Sequence, residues 1–256
     1  MRSLVAQWRV MQALMVRDMI VRYGRDNVGF IWTILEPMIL CLGVMLIFSM
    51  IKKPYEHGMQ VLTFVVTGYM PLTLFRHLTN SGIHVLTRSA GVLLHRRLTQ
   101  LDTLLSRLIL EFTATTVALC VIYGALYIGG LAEPIHDIKL VVAGWLLLAW
   151  FAVGVSVIFS AGTEASDTME RFIQPIQYLT VPLSPIFYMI NWLPYQAQQL
   201  AIWNPLAQPY EMIRAGVFGP NAQAIYYPAV TFYSGLFLLA VGLIWFQSVG
   251  KRVHEK

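Results

Sequence analysis

Six apolar runs of 19 to 24 residues alternate with polar intervals along the chain: Val28–Ile51, Met59–Leu78, Leu108–Ile128, Leu140–Ala161, Phe172–Ile190 and Ala229–Val249. At a helical rise of about 1.5 Å per residue, each run approaches or exceeds the roughly 30 Å of a bilayer's hydrocarbon core. The pattern predicts an all-α polytopic membrane protein with six transmembrane helices. Three stretches do not fit a span. Residues 1–27 are too charged to cross, yet Leu4, Trp8, Met11, Met15 and Met19 recur every three or four positions. That periodicity predicts an amphipathic helix lying at the cytoplasmic interface, with Asp18 and Arg22 blurring its stripe. Residues 79–107 form the longest polar interval. Residues 191–228 are apolar but cut by Pro194, Pro205, Pro209, Gly216, Gly219 and Pro220. They predict two short helices, Pro194–Trp203 and Pro205–Val217, that enter the outer leaflet and return.

Basic residues orient the spans. With both termini in the cytoplasm, thirteen Lys and Arg fall inside, while Lys52, Lys53, Lys139 and Arg214 fall outside and Arg76 lies at an interface. That asymmetry is the one cytoplasmic loops require. The acidic turn GTEASDTMER, Gly162–Arg171, departs from it, although acidic residues count little in the rule. Composition points the same way: 57% of the 256 residues are hydrophobic and 12% charged, with mean hydropathy +0.62. A net charge of +5 is thereby a matter of topology, and nucleic acid is excluded as a partner. Arg2, Arg9 and Arg17 interrupt any compact apolar core, which argues against a cleaved signal peptide. Cys41 and Cys120 fall inside spans as small apolar fillers.

Two features break the regular pattern. Glu36 lies in the first span beside Pro37; it is either a protonated or hydrogen-bonded structural residue or a polar element of a path through the membrane. The fifth run holds Pro175, Pro182 and Pro185 together with Gln174, Gln177, Tyr178, Ser184 and Tyr188. Each proline removes a helical hydrogen bond, and broken helices survive only beside protein or a watered cavity, so this run is expected to face an interior. Tyr178, Phe187, Tyr188, Trp192, Tyr195 and Trp203 gather on it and after it. Aromatic faces suit sugar rings, and they also form ordinary interfacial belts.

Catalytic chemistry has little to stand on. The six histidines lack metal-ligand spacing, and Gly250-Lys251 lacks the remainder of a phosphate-binding loop. A membrane transferase acting on lipid-linked sugars would have to draw on Glu164, Asp167 and Glu170, for which a solvated turn is the plainer account.

Four segments together carry a resemblance: RYGRDNVGFIWTILEPM at Arg22–Met38, FVVTGYMPLTLFR at Phe64–Arg76, RRLTQLDTLLSRLILE at Arg96–Glu111 and NPLAQPYEMIRAGVFG at Asn204–Gly219. The chain resembles the permease subunit of ATP-binding-cassette exporters for polysaccharide, and within it the capsule-export branch of Gram-negative bacteria, to which Glu36-Pro37 points. The resemblance implies a homodimer of six-span subunits in the inner membrane. It further implies a transport subunit rather than an enzyme, with no cofactor of its own. ATP and Mg belong to a separate cytoplasmic ATPase subunit. Arg17, Arg22 and Tyr23 would belong to an interface helix. Thr87, Arg88, Val92, Leu93 and Leu94 would form the coupling helix that meets the ATPase. A path for the lipid-linked polysaccharide would draw on Glu36, Arg76, Gln174, Tyr178 and Tyr188, with periplasmic and outer-membrane export proteins as further partners. Export of lipid-linked O-antigen or teichoic acid is the alternative within the same architecture.

Overall fold

A bilayer offers backbone amides no solvent partner, so a chain this apolar has to close its hydrogen bonds within helices. The computed structural model describes residues 11–17, 20, 28–83, 85 and 100–254, and these are mostly helical. In order come α1 (Val28–Ile51), a two-residue hairpin of β1 (Tyr55–Glu56) and β2 (Met59–Gln60), α2 (Val61–Ser81), α3 (Gln100–Ile128), α4 (Ile138–Ala165), α5 (Asp167–Leu183), α6 (Tyr195–Ile202), α7 (Ala207–Phe218) and α8 (Pro228–His254). Among the described residues, five helices are long and apolar enough to cross a membrane: α1, α2, α3, α4 and α8.

The hairpin refines the expectation of a plain polar loop after the first span. Tyr55 pairs with Gln60 and Glu56 with Met59, and His57 and Gly58 turn the chain with φ of 52° and 76°. Two central residues with positive φ match the twist of the flanking strands.

Helix α2 is the axis of the bundle and is buried over most of its length against α1, α3, α4 and α7. Phe75 stacks on Phe151 of α4 with ring centroids 6.1 Å apart. Helices α4 and α8 approach closely because glycine lines their seam: a Cβ on Gly154 would lie 2.9 Å from the carbonyl oxygen of Gly235. Small residues at such seams let helices pack where lipid provides no hydrophobic drive for association. Asp137 starts α4 by accepting from the N–H of Lys139 at 2.9 Å, and its own N–H donates to the carbonyl of Gly216 at 2.7 Å. The start of α4 is thereby tied to the end of α7.

The fifth run is displaced from its expected bounds. Helix α5 begins at Asp167, because Ser166 adopts an extended backbone and its hydroxyl caps the N–H of Thr168 at 3.2 Å. It stops at Leu183, because Ser184 precedes Pro185 and is held extended at ψ 143°. The acidic segment expected as a turn therefore closes α4 and opens α5, interrupted at Ser166 alone. At 17 residues α5 covers about 26 Å, short of a full crossing, and Pro175 and Pro182 lie inside it. Residues 184–189 continue as irregular chain.

Helix α7 packs against α4 through Gly144 and Gly216. A Cβ on Gly216 would meet Val141 Cγ2 at 2.6 Å and the Asp137 carbonyl at 2.8 Å. Gly216→Ala is expected to cost about 1–3 kcal/mol by overpacking, seen as a lower melting temperature of detergent-solubilised protein. Gly43→Ala, whose Cβ meets nothing within 4 Å, should leave it unchanged or raise it.

Candidate functional site

The connection from α5 to α8 is where the backbone is least regular, and the side chains of α7 hold it. Helix α7 opens with Pro209 in its first turn, where a missing N–H costs nothing. Gln208, Glu211 and Arg214 recur along it at intervals of three, all fully buried. Glu211 accepts from the N–H of Ile190 at 2.9 Å and from the N–H of Ile225 at 3.2 Å. Arg214 donates to the carbonyls of Tyr188 at 2.5 Å and Ile186 at 2.6 Å, and its guanidinium lies 3.8 Å from the centroid of the Phe64 ring. Gln208 donates to the Ile202 carbonyl at 2.7 Å and accepts from the N–H of Tyr227 at 2.6 Å.

Three side chains thus satisfy backbone groups on two irregular strands, 186–190 and 225–227, and at the end of α6. An unpaired amide or carbonyl in such surroundings costs several kcal/mol. Burial pushes the Glu211 carboxyl up; the Ile190 N–H, the Arg214 cation and the Ile225 N–H pull it back. Burial draws Arg214 down to about 10, opposed first by Glu211, which leaves the guanidinium protonated at neutral pH. Gly68 of α2 makes room for this arrangement, since a Cβ there would strike the Ile186 carbonyl and lie 2.9 Å from Arg214 Nη2.

These groups correct one expectation. Arg214, counted among the outer bases by its charge, is not solvent-facing: it is buried within the protein against backbone carbonyls. Sequence reasoning passed over Gln208 and Glu211, although three polar residues at a spacing of three in an otherwise apolar helix are a visible signal.

The residues expected along a path are distributed over α1, α2, α5 and the segment after it. The structure brings two of them together: the Arg76 guanidinium lies 5.8 Å from the centroid of the Tyr178 ring. Tyr178 and Gln174 are exposed on α5, and Glu36 is exposed on α1. In the single chain, the fifth run therefore turns Gln174 and Tyr178 outward. Tyr188 is half-buried and contributes its carbonyl to Arg214. Gln177 ties α5 to the end of α2, donating to Asn80 Oδ1 at 2.7 Å and Thr79 Oγ1 at 3.3 Å. His77 Nδ1 lies 3.0 Å from Glu111 Oε2, joining α2 to α3. Arg17 is half-buried in the helical stretch 11–17. Arg22, Tyr23, Thr87, Arg88, Val92, Leu93 and Leu94 lie outside the described residues.

An aromatic cleft of about 210 Å³ opens beside the hairpin. Trp192 packs on His57 with centroids 4.4 Å apart and on Phe64 at 5.2 Å, and Phe48 stacks on Phe187 at 5.1 Å. Lys52 Nζ pairs with Glu56 at 2.8 Å on its rim. Flat apolar faces edged by charge can hold the C–H face of a sugar ring while its hydroxyls stay wet. Tyr195 and Trp203 stand apart, largely exposed.

The ABC-2 type transporter family matches residues 9–218. The capsule polysaccharide export inner-membrane protein CtrC of Neisseria meningitidis serogroup A is 32% identical over 256 residues, covering 100% of this chain and 97% of the relative. The capsule polysaccharide export inner-membrane protein BexB of Haemophilus influenzae is 30% identical over 257 residues, covering 100% and 96%. The polysialic acid transport protein KpsM of Escherichia coli is 23% identical over 206 residues, covering 80% of each chain.

Removing one member of the buried set leaves its partners unpaired. Arg214→Met is expected to cost roughly 3–5 kcal/mol, read as loss of monodisperse protein on size exclusion in detergent. Arg214→Lys should fall between, because an ammonium cannot fork to two carbonyls.

Proposed function

Because the chain belongs to the ABC-2 type transporter family, we propose that it is the membrane permease of an exporter that moves lipid-linked capsular polysaccharide across the inner membrane. The observation that carries this reading is similarity to capsule-export inner-membrane proteins from one end of the chain to the other. The multi-pass helical architecture supports it.

In this reading α5 and the irregular segment 184–189 together make a sixth crossing, both termini are cytoplasmic, and α6 and α7 dip into the outer leaflet without crossing. Two copies of the chain meet along α1 and α5, whose long exposed faces carry Glu36, Gln174 and Tyr178. Such faces on a single chain call for a partner or a watered path, since Glu36 and Gln174 are expensive against lipid.

The mechanism follows from what each part can move. A separate ATPase binds ATP and Mg, closes, and pushes on the coupling segment that includes Thr87, Arg88, Val92, Leu93 and Leu94, with Arg17, Arg22 and Tyr23 beside it. Closure drives the membrane part only insofar as one of its conformations fits the closed ATPase better. Helix α5 is the element suited to respond: Ser166 hinges it at one end and Gln177 pins it in the middle, while the unit held by Glu211 and Arg214 stays rigid beyond Pro185. Parting of α5 from its counterpart opens the path. Arg76 and Tyr178 present a cation and a ring to the passing polymer, and the cleft of Phe48, Phe187 and Trp192 receives sugar rings at the hairpin. None of these contacts is tight, as passage requires binding that still permits release.

In a strain deleted for its own permease gene, this chain supplied with its ATPase should restore surface capsule. Arg76→Ala combined with Tyr178→Ala should cut surface polymer about tenfold or more, with co-purified ATPase unchanged. Full surface polymer in that double variant would dismiss this path.

A further inference from the structure

On another side of the bundle, α2, α3, α4 and α7 enclose a groove of about 420 Å³. Its long wall is α3, where Phe112, Thr116, Leu119 and Tyr123 recur every three or four residues and Gly124 ends the row, a length of about 18 Å at 1.5 Å per residue. Helix α4 supplies Trp145 opposite.

The polar atoms of this wall are already committed. Thr67 donates to the carbonyls of Thr63 and Phe64, each at 3.0 Å. Thr116 donates to the Phe112 carbonyl at 2.6 Å and accepts from Trp145 Nε1 at 2.9 Å. The Tyr123 hydroxyl donates to the Glu133 carbonyl at 2.8 Å. With its hydroxyls and indole N–H spent, the wall recognises apolar matter.

Cys120, Val142 and Leu146 line the groove and are exposed, so it opens sideways from two membrane-crossing helices. The material facing that opening is the hydrocarbon of the bilayer. Lys139 is exposed in the first turn of α4, three and seven residues before the lining residues Val142 and Leu146 and so on their side of the helix, at the end nearest the 129–137 connection. A lipid phosphate is the charge complementary to it.

We propose that this groove is a binding site for one acyl chain of a membrane phospholipid whose phosphate pairs with Lys139. The site is distinct from the exposed α1 and α5 faces, and it rests on the membrane architecture alone, not on the cargo. Lipid tails are as apolar as the groove, so the hydrophobic effect does not drive occupancy. Dispersion contact along a matched wall and the charge pair at its end do. The bound chain lies against Ile213 and Val217 of α7, and so braces the helix that carries Glu211 and Arg214.

The test uses the full-length protein in vesicles of phosphatidylethanolamine and phosphatidylglycerol, doped with phosphatidylglycerol bearing a diazirine in mid-chain. After irradiation, adducts are mapped by mass spectrometry. Adducts on 112–124 and 138–146 should exceed those on the exposed α8 residues Phe237 and Ile244 by about fivefold. Gly124→Leu starts its side chain in open space, because a Cβ there meets nothing within 4 Å, and by occupying that end of the groove should abolish the excess. Lys139→Ala should lower it. Equal labelling of α3, α4 and α8 in the native chain would overturn the proposal, as would groove adducts that persist in Gly124→Leu. So would cross-links showing a second copy seated in the groove, or an excess that appears only when polymer-linked lipid is added.

Discussion

Irregular backbone in an apolar environment must have its amides and carbonyls answered by something, and in this chain one short helix answers many of them, with Asn191, Gln198, Asn204 and Thr231 serving others. Glu211 and Arg214 reach from α7 to four backbone groups, at Ile186, Tyr188, Ile190 and Ile225, while Gln208 serves Ile202 and Tyr227. Without them, the segment between α5 and α6 would have to be helical or wet. The charges are costly to bury, yet each neutralises several groups that would otherwise be costlier, and Phe64 offers its ring face to the guanidinium. Gly68 and Gly216 then become requirements: a side chain at Gly68 would strike Ile186 and Arg214, and one at Gly216 would push α7 off α4.

That constraint divides the molecule mechanically. The unit from Ser184 to Tyr227, fastened to α4 through Asp137 and Gly216, is cross-linked by directional bonds. Helix α5 is secured by Gln177 and its capped start, and bears two prolines, with most of its surface exposed. An exposed helix with two internal prolines beside a rigid block suits the moving part proposed for the transport cycle. The groove between α3 and α4 then reads as the complement on the lipid side, where hydrocarbon packs against the rigid block.

Much of the fold was legible in the sequence because long apolar runs admit few structures in a membrane. Val28–Ile51 is helical over its full expected length, the short helix 195–202 falls within its predicted segment, and 207–218 matches the expected 205–217 to within two residues at either end. The fifth run was misplaced because hydropathy weighs composition, whereas the bounds were decided by a serine cap at 166 and by Pro185 forcing Ser184 extended. The site was less legible. Arg214 was counted by its charge, and nothing local told that count that the guanidinium would find carbonyls 26 and 28 residues away. Tyr178 and Arg76 were singled out separately, and their proximity required the packing of α5 on α2.

The central claim is that Glu211 and Arg214 hold the 184–227 unit together as backbone partners. Hydrogen exchange of the native chain and Glu211→Ala in detergent micelles tests it at the two amides concerned. The account predicts that Ile190 and Ile225 are protected in the native chain and exchange rapidly in the variant, while amides along the α4–α8 seam around Gly154 keep their protection. Unchanged protection at Ile190 and Ile225, or an equal loss across all helices, would contradict it.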